Sequence, residues 1–318
     1  MRVLLAGASG FVGSRVLDDL LRAGHNVTAL SQSERSRATI LAKHPEVAVV
    51  IGDVGNVAEM KRAMPEGIEA IIYLPGLLRE FPRKGITFRS AHVEGPKNLL
   101  NAWRGAAPRA LAVSDEQQPR LRWIEMSALG TRPNASTAYF STKWEAEEHI
   151  RASDTGWTII RPSVIFDDRP SDRMNFVGEL AKVIRLAPFI PVFGDGKYRM
   201  QPVSVDDVSQ TIVQALGKSE TIGKTFELGG PEKLSYNEIV SQIAVALGKR
   251  KPMLHIPFSL ARVAASLMEG FSFFPFTVDQ LTMLLEENIV RDPGKEKEWR
   301  EMFELPMKRF GESIKTGF

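Results

Sequence analysis

The sequence contains no cysteine among its 318 residues. Disulfide bonds, a thiolate nucleophile and cysteine-ligated zinc or iron–sulfur clusters are therefore excluded. Histidine is also scarce, because only five residues occur and no two of them form a close pair. We therefore expect no metal site in this protein.

The sequence also lacks a strong charge of either sign. Its 41 basic and 38 acidic residues give a net charge of +3, which indicates neither nucleic acid nor an acidic membrane as a partner. No apolar run reaches the ~18 residues that a membrane span needs, so we expect no transmembrane segment. The first strand-like run begins at residue 2 and leaves no room for a targeting peptide. These features predict a cytoplasmic protein.

The first thirteen residues organise the chain. A short apolar run, Arg2–Ala6, stops at a glycine-rich turn, and an apolar-periodic segment follows from Phe11. This pattern predicts a strand, a tight turn and a helix whose N-terminus binds the pyrophosphate of a dinucleotide. The glycines permit the sharp turn, the approach of backbone to phosphate and close packing of helix on strand. The residues of this segment that are predicted to contact the cofactor are Gly7, Ser9, Gly10, Phe11, Val12 and Gly13.

Strand-like and helix-like segments alternate through the first half of the chain. Strands that are apolar on both faces are typical of a parallel sheet covered by helices. We predict an α/β fold with a Rossmann-type doubly wound parallel sheet and a smaller, discontinuous C-terminal lobe. The NAD(P)-binding domain is predicted over residues 1–160, with returning elements near 203–230, and the smaller substrate or interaction lobe over 161–318.

Two segments stand apart from this alternation. Residues 104–120 are rich in proline and polar side chains, and we interpret them as a surface loop. Residues 256–277 are rich in aromatic side chains and methionine. They are predicted to form lobe core; if partly exposed, they would form an apolar patch with an interaction role.

A tyrosine and a lysine lie four residues apart at the start of a helical segment, at Tyr139 and Lys143. Both side chains therefore face the same way. A free tyrosine has a pKa near ~10, and a nearby ammonium together with an oxidised nicotinamide would favour the phenolate. Ser127 ends a predicted strand and could hydrogen-bond a reacting oxygen. We predict Ser127, Tyr139 and Lys143 as catalytic residues.

These motifs together resemble the short-chain dehydrogenase/reductase superfamily, in its extended or atypical branch. The likeness also includes Val93-Glu94-Gly95 and Arg161-Pro162-Ser163. More narrowly, the segments 201–208 and 226–231 resemble the NAD(P)H-binding accessory subunit of complex I and its bacterial relatives. The resemblance implies Tyr139 as acid and base, Lys143 on the cofactor ribose and Ser127 on a carbonyl. It also implies cofactor contacts at Asp53, Val54, Leu74, Pro75, Gly76, Lys143, Pro162 and Ser163.

The sequence departs from the extended members at several positions. His92 stands where they usually carry asparagine before Glu-Gly, and Tyr73-Leu74-Pro75 replaces His-Leu-Ala. Phe166-Asp167-Asp168 follows where epimerases commonly have a glycine-proline turn. These departures argue against a nucleotide-sugar epimerase or dehydratase.

The end of the second strand predicts the cofactor preference. NAD-selective members of this fold place an acidic residue there, whereas this chain has Ser31. Ser31 and Ser33 can donate to phosphate oxygens, and Arg35 could add a charge-assisted bond. We therefore predict NADP(H) as the preferred cofactor, with NAD(H) as the alternative.

Two functions remain open. The favoured one is an NAD(P)-dependent oxidoreductase acting on a small carbonyl, alcohol, sterol-like or quinone-like substrate. The alternative is a non-catalytic NADP(H)-binding module with a protein partner in a larger assembly. The substrate wall is predicted to include Phe193, Tyr198 and Gln201, although packing alone would also explain these residues.

Overall fold

The structure is a computed structural model of the chain, and it describes residues 1–82, 85–106, 121–169, 175–268 and 277–315. Most of the predicted surface loop and the aromatic run at 269–276 lie outside these residues.

Thirteen strands occur in the described part of the chain. They are β1 (Arg2–Ala6), β2 (Asn26–Ser31), β3 (Ala48–Ile51), β4 (Ala70–Tyr73), β5 (Arg122–Met126), β6 (Gly156–Pro162), β7 (Ile165–Phe166), β8 (Ile190–Phe193), β9 (Arg199–Met200), β10 (Val203–Ser204), β11 (Lys224–Leu228), β12 (Leu234–Ser235) and β13 (Met253–Ile256).

The α-helices of the same residues number twelve. They are α1 (Phe11–Arg22), α2 (Glu34–Leu41), α3 (Val57–Ala63), α4 (Gly95–Ala106), α5 (Ala138–Arg151), α6 (Phe176–Leu186), α7 (Val205–Gly217), α8 (Tyr236–Ala246), α9 (Phe258–Met268), α10 (Val278–Leu285), α11 (Pro293–Phe303) and α12 (Phe310–Ile314).

Seven strands form one sheet in the order β11-β6-β5-β4-β1-β2-β3. The pairs from β3 to β6 are parallel, with Leu5 of β1 opposite Ala29 on one side and Ile72 on the other. Every residue of β4 is buried, as expected for a central strand covered on both faces. The predicted Rossmann-type α/β fold is confirmed. The direction of strand addition reverses between β1 and β4, and ligands bind at such a reversal.

The helical segment that precedes β5 has two parts. Residues Arg89–Glu94 form a wide, π-type helical turn, and α4 continues from Gly95. The Tyr73 hydroxyl donates a hydrogen bond to the carbonyl of Ala91 in the wide turn. A carbonyl bonded to a strand side chain is one physical reason for the local change in helical pitch.

The chain divides into two compact units. Unit 1 comprises Met1–Arg161 and Ser209–Phe226, and unit 2 comprises Pro162–Val208 and Glu227–Phe318. In unit 1 the sheet core is filled by large side chains such as Trp123 and Trp103. In unit 2 the buried core includes Phe166, Tyr236 and Phe310.

The sequence suggested that residues 203–216 and 225–230 both return to the main sheet. The strand β11 does so, next to β6. The strand β10 instead pairs with β7 in a separate two-stranded sheet. Its Val203 N–H donates to the carbonyl of Val164, which directs this segment to β7.

Candidate active site

The turn between β1 and α1 has the geometry that its glycines predict. Gly7 has a φ of +87°, and the Gly10 N–H donates to the Gly7 carbonyl at 2.9 Å. A Cβ atom on Gly13 would lie 1.9 Å from that same carbonyl oxygen. Gly13 is therefore required for helix packing, whereas Gly7 is required by the backbone conformation of the turn.

The N-terminus of α1 has the features of an anion site. Its N-cap, Gly10, supplies no side-chain hydrogen bond, and the first turn contains no acidic residue. By contrast, Ser33 and Asn56 cap α2 and α3 with their side chains. The first N–H groups of α1 and its positive dipole end therefore suit the pyrophosphate of a dinucleotide.

The segment after β4 connects the glycine turn to the tyrosine helix. A Cβ atom on Gly7 would lie 3.3 Å from Leu74 Cβ and from Pro75 N. A Cβ atom on Gly76 would lie 3.9 Å from Lys143 Nζ. The glycine turn, residues 74–76 and Lys143 are thus neighbours at the carboxyl edge of the sheet, where ligands of this fold bind.

The helix α5 presents Tyr139 and Lys143 to this edge. Thr137 caps the helix by accepting a hydrogen bond from the Phe140 N–H. Both Tyr139 and Lys143 are buried, and Lys143 Nζ donates to the carbonyl of Met126 at 2.8 Å. Ser127 is the next residue after that carbonyl. The structure therefore brings Lys143 to the end of β5, beside Ser127.

Ser127 is buried and its hydroxyl donates to Thr131 Oγ1 at 3.2 Å. Burial raises the pKa of Tyr139 to about 12. The sequence suggested an ammonium-favoured phenolate, but burial has the dominant effect in the cofactor-free protein. Tyr139 is consequently a neutral phenol at neutral pH and has a proton to donate.

A buried carboxylate, Glu125, was missed by the reasoning from sequence. It lies on β5, and its Oε2 accepts a hydrogen bond from Trp123 Nε1 at 2.9 Å. Its Oε1 has no hydrogen-bond partner among the described residues. Burial raises the pKa of Glu125, and the Lys143 ammonium opposes that effect. The available signal was an acidic residue inside the strand Arg122–Met126, two positions before Ser127.

Two opposing effects act on the pKa of Lys143. Burial lowers its pKa, whereas Glu125 and Glu147 raise it. The second carboxylate, Glu147, is already bonded by Arg161, with Nε at 2.8 Å and Nη2 at 2.6 Å. Glu125 is therefore the less fully hydrogen-bonded of the two acidic residues that act on the buried lysine.

The predicted adenosine-binding residues occupy the ends of β2 and β3. Ser31 is buried, and its hydroxyl donates to the Ser33 carbonyl at 3.0 Å. Ser33 caps α2, and Arg35 is exposed. Asp53 accepts the Gly55 N–H at 2.9 Å, and the Val54 carbonyl accepts Asn98 Nδ2 at 2.9 Å.

The remaining predicted residues belong to unit 2. Pro162 is buried and precedes Ser163, whose hydroxyl donates to Asn288 Oδ1 at 2.6 Å. The proposed substrate-wall residues are buried as well: Phe193 lies in the cluster with Leu281, Tyr198 lies in the main core of unit 2, and Gln201 bonds the Gly230 carbonyl.

Neither a metal centre nor a membrane helix is found in the parts of the chain that the structure describes. These residues contain no group of three histidine or acidic side chains placed to hold a metal ion. Their helices are all too short or too polar to cross a bilayer.

The parallel sheet, the glycine turn and the buried Tyr139–Lys143 pair define a dinucleotide-binding protein of the oxidoreductase type. A model of the NAD dependent epimerase/dehydratase family matches residues 3–229, and the chain belongs to that family.

Several known proteins are similar over most of this chain. The mitochondrial NADH dehydrogenase [ubiquinone] 1 alpha subcomplex subunit 9 of Arabidopsis thaliana is 25% identical over 305 residues, covering 90% of this chain and 70% of that protein. The ceramide reductase of Caulobacter vibrioides is 24% identical over 280 residues, covering 85% and 78%. The resemblance to extended short-chain dehydrogenase/reductases and complex I subunits is thereby confirmed.

A solved structure shows the same fold. The UDP-glucose 4-epimerase of Thermus thermophilus, in complex with NAD, superimposes with a TM-score of 0.71 at 18% identity. The match covers 99% of this chain and 97% of that one.

Proposed function

We propose that this protein is an NAD(P)-dependent oxidoreductase for a small carbonyl or alcohol, or for a sterol-like or quinone-like substrate. The observation that carries the proposal is the buried Tyr139–Lys143 pair, with Lys143 Nζ bonded to the Met126 carbonyl directly before Ser127. A phenol, an ammonium and a hydroxyl at one sheet edge form an acid–base set for carbonyl reduction.

Each residue of the set has a distinct role in the proposal. Tyr139, as a buried phenol, donates its proton to the carbonyl oxygen as negative charge develops there. Ser127 offers a hydroxyl to the same oxygen, and Lys143 stabilises the resulting phenolate and holds the ribose of the cofactor. A bound nicotinamide would supply or accept the hydride.

The residues around the glycine turn would hold that cofactor. Gly10 and the first turn of α1 would take the pyrophosphate, and Leu74, Pro75 and Gly76 would lie along the nicotinamide half. Asp53 and Val54 would lie against the adenine. The uncapped α1 supports this assignment, since no side chain of its own N-cap satisfies the exposed N–H groups.

We further propose a preference for NADP(H) over NAD(H). Ser31 stands at the end of β2, and neither Ser31 nor Ser33 would repel a 2′-phosphate. Arg35 is exposed at the start of α2, where the neighbouring carboxylate of Glu34 pairs with Arg37 at 3.3 Å. A guanidinium at position 35 could bond the phosphate oxygens.

The class of substrate is supported by one relative and by the departures noted in the sequence. A ceramide reductase is among the similar proteins, and it acts by its name on a lipid. The replacement of the epimerase-like residues at 92 and 166–168 argues against a sugar nucleotide. We therefore favour an apolar carbonyl compound.

A second function is supported by the likeness to the plant complex I subunit over 90% of this chain. In that alternative the protein retains NADP(H) as a structural or redox-sensing ligand and binds a protein assembly. The same buried tyrosine and lysine would then serve only to hold the cofactor.

Turnover of a panel of aliphatic, sterol and quinone carbonyls with NADPH separates the two functions. For an enzyme, Tyr139→Phe should lower kcat by roughly 10²–10⁴-fold while NADPH affinity stays close to that of wild type. Tyr236→Phe, the same change in the core of unit 2, is the matched control and should keep its activity. A wild-type protein that binds NADPH tightly but reduces no member of the panel would favour the binding module.

A further inference from the structure

His92 lies at the wide turn that precedes α4, and the proposed mechanism gives it no role. Tyr73 of β4 holds this turn in place, because its hydroxyl donates a hydrogen bond to the Ala91 carbonyl. The Tyr73 ring in turn stacks on Trp123, with ring centroids 6.2 Å apart. Wide turns of this type often occur at functional sites. The side chain of His92 is completely buried.

Both ring nitrogens of His92 have partners. The Leu77 N–H, in the loop after β4, donates to Nε2 at 3.3 Å. The other nitrogen, Nδ1, lies 2.9 Å from Thr142 Oγ1 on α5. Because a backbone N–H can only donate, Nε2 must accept and the proton must reside on Nδ1.

The hydroxyl of Thr142 is consistent with this assignment. It lies 2.8 Å from the Ala138 carbonyl, to which it donates, and so it is free to accept from His92 Nδ1. Burial, with a smaller effect from the Lys143 ammonium, lowers the pKa of His92 to about 2. The imidazole is therefore neutral and held in one tautomer.

The ring of His92 also contacts the proposed acid. Its centroid lies 5.3 Å from that of Tyr139, with the two planes at 88°. Phe88 stacks on His92 at 5.5 Å and meets Tyr139 edge-on at 5.7 Å. Edge-to-face contacts of this kind favour one ring orientation.

We propose that His92 is a positioning residue that joins the loop after β4 to α5. Its Nε2 fixes the Leu77 backbone, its Nδ1 fixes Thr142 between Tyr139 and Lys143, and its ring edge orients the Tyr139 phenol. Residues 74–76, directly before Leu77, are those proposed to lie along the cofactor. The effect on turnover rests on the proposed function, whereas the connection between loop and helix does not.

Two substitutions separate the roles of the hydrogen bonds and the ring. His92→Phe retains an aromatic ring against Tyr139 but removes both hydrogen bonds. His92→Asn retains an amide donor and acceptor but removes the ring. His149→Phe, the same change at a partly buried position on α5, is the control for a loss of histidine alone.

The first measurement uses the cofactor-free protein. Nitrogen NMR of wild type should show His92 protonated at Nδ1 only, with no titration between about pH 5 and pH 8. Exchange of the Leu77 amide should become at least ~10-fold faster in His92→Phe and stay near wild type in His149→Phe. A proton on Nε2, an imidazole that titrates near its ordinary pKa, or unchanged Leu77 exchange would overturn the proposal.

The second measurement is NADPH binding by calorimetric titration. We expect a loss of affinity of about tenfold in His92→Phe, partial recovery in His92→Asn and none of this loss in His149→Phe. If the carbonyl panel gives turnover, His92→Asn should show a larger loss in kcat than in NADPH affinity, because the ring that orients Tyr139 is gone. Wild-type affinity in His92→Phe would contradict the proposal. Absence of turnover in wild type would contradict the proposed enzymatic function. The positioning role of His92 would then be tested by the Leu77 exchange and NADPH-binding results alone.

Discussion

Two buried side chains, one in each unit, differ in how completely their polar atoms are hydrogen-bonded. In unit 1, Glu125 Oε1 has no partner among the described residues, and the nearby Lys143 ammonium donates to a backbone carbonyl. In unit 2, Gln201 is buried with both ends of its amide occupied: Nε2 donates to the Gly230 carbonyl at 2.8 Å, and Oε1 accepts the Val290 N–H at 2.9 Å.

The complete hydrogen bonding of Gln201 indicates a structural role for that side chain. A buried amide with complete hydrogen bonds joins distant segments and stabilises them. A buried charge with incomplete pairing costs stability, and such groups concentrate at functional sites. A partly exposed charged cluster of unit 2 is also paired, since Lys308 Nζ contacts Asp168 at 2.6 Å and Asp206 at 2.7 Å.

The largest effect is expected at the glycine turn of unit 1. A Cβ atom on Gly10 would lie 3.1 Å from the Gly7 carbonyl, and the Gly10 φ of −74° is accessible to any residue. Gly10→Val should therefore fold but lose at least ~100-fold in NADPH affinity, because the branched side chain takes the space of the pyrophosphate. Calorimetric titration measures the loss. Gly105→Ala, on α4 with open space around it, is the control, and equal affinities of wild type and Gly10→Val would refute the phosphate site.

The next prediction concerns unit 2 and removes the fully hydrogen-bonded side-chain amide of Gln201. Gln201→Leu leaves the Val290 N–H and the Gly230 carbonyl without these bonds, so we expect a loss of about 2–4 kcal/mol in the free energy of unfolding. Urea denaturation measures that loss. NADPH affinity should remain within about twofold of wild type, and a large drop in affinity would place Gln201 in a ligand site.

A third, smaller effect concerns the cofactor preference of unit 1. Ser31→Asp places a carboxylate at the end of β2, where it can accept from ribose hydroxyls and repel a 2′-phosphate. We expect the ratio of NADPH to NADH affinity to shift toward NADH by roughly 10–100-fold, equivalent to about 1.4–2.8 kcal/mol. Ser36→Asp, within the first turn of α2, is the control. An NADH preference in wild type would show that this loop does not read the 2′-phosphate.

The last effect concerns the pH dependence of stability. Burial raises the pKa of Glu125 from 4.5 to about 8, so the folded state binds more protons than the unfolded state across that window. Stability should therefore fall as pH rises from 4.5 toward 8, by at most ~1.4 kcal/mol per pH unit for one proton. Glu125→Gln should flatten this dependence in urea denaturation series. An unchanged slope would show that another group, such as the buried Asp207, controls it.

Local sequence determined the strands, the glycine turn and the spacing of Tyr139 and Lys143. Apolar runs on both faces of a strand and four-residue spacing on a helix depend on neighbours in sequence, so they can be recognised without a structure. The glycine at position 7 could be assigned for the same reason, because its positive φ belongs to the turn itself.

Tertiary structure alone decided the surroundings of those residues. The burial that raises the pKa of Tyr139, the electrostatic effect of Glu125 on Lys143 and the two hydrogen bonds of His92 all depend on elements that are far apart in sequence. Likewise, β10 pairs with β7 because of contacts that no local pattern encodes. Desolvation and hydrogen-bond geometry depend on every element packed around a group, and these become defined only when the chain has folded.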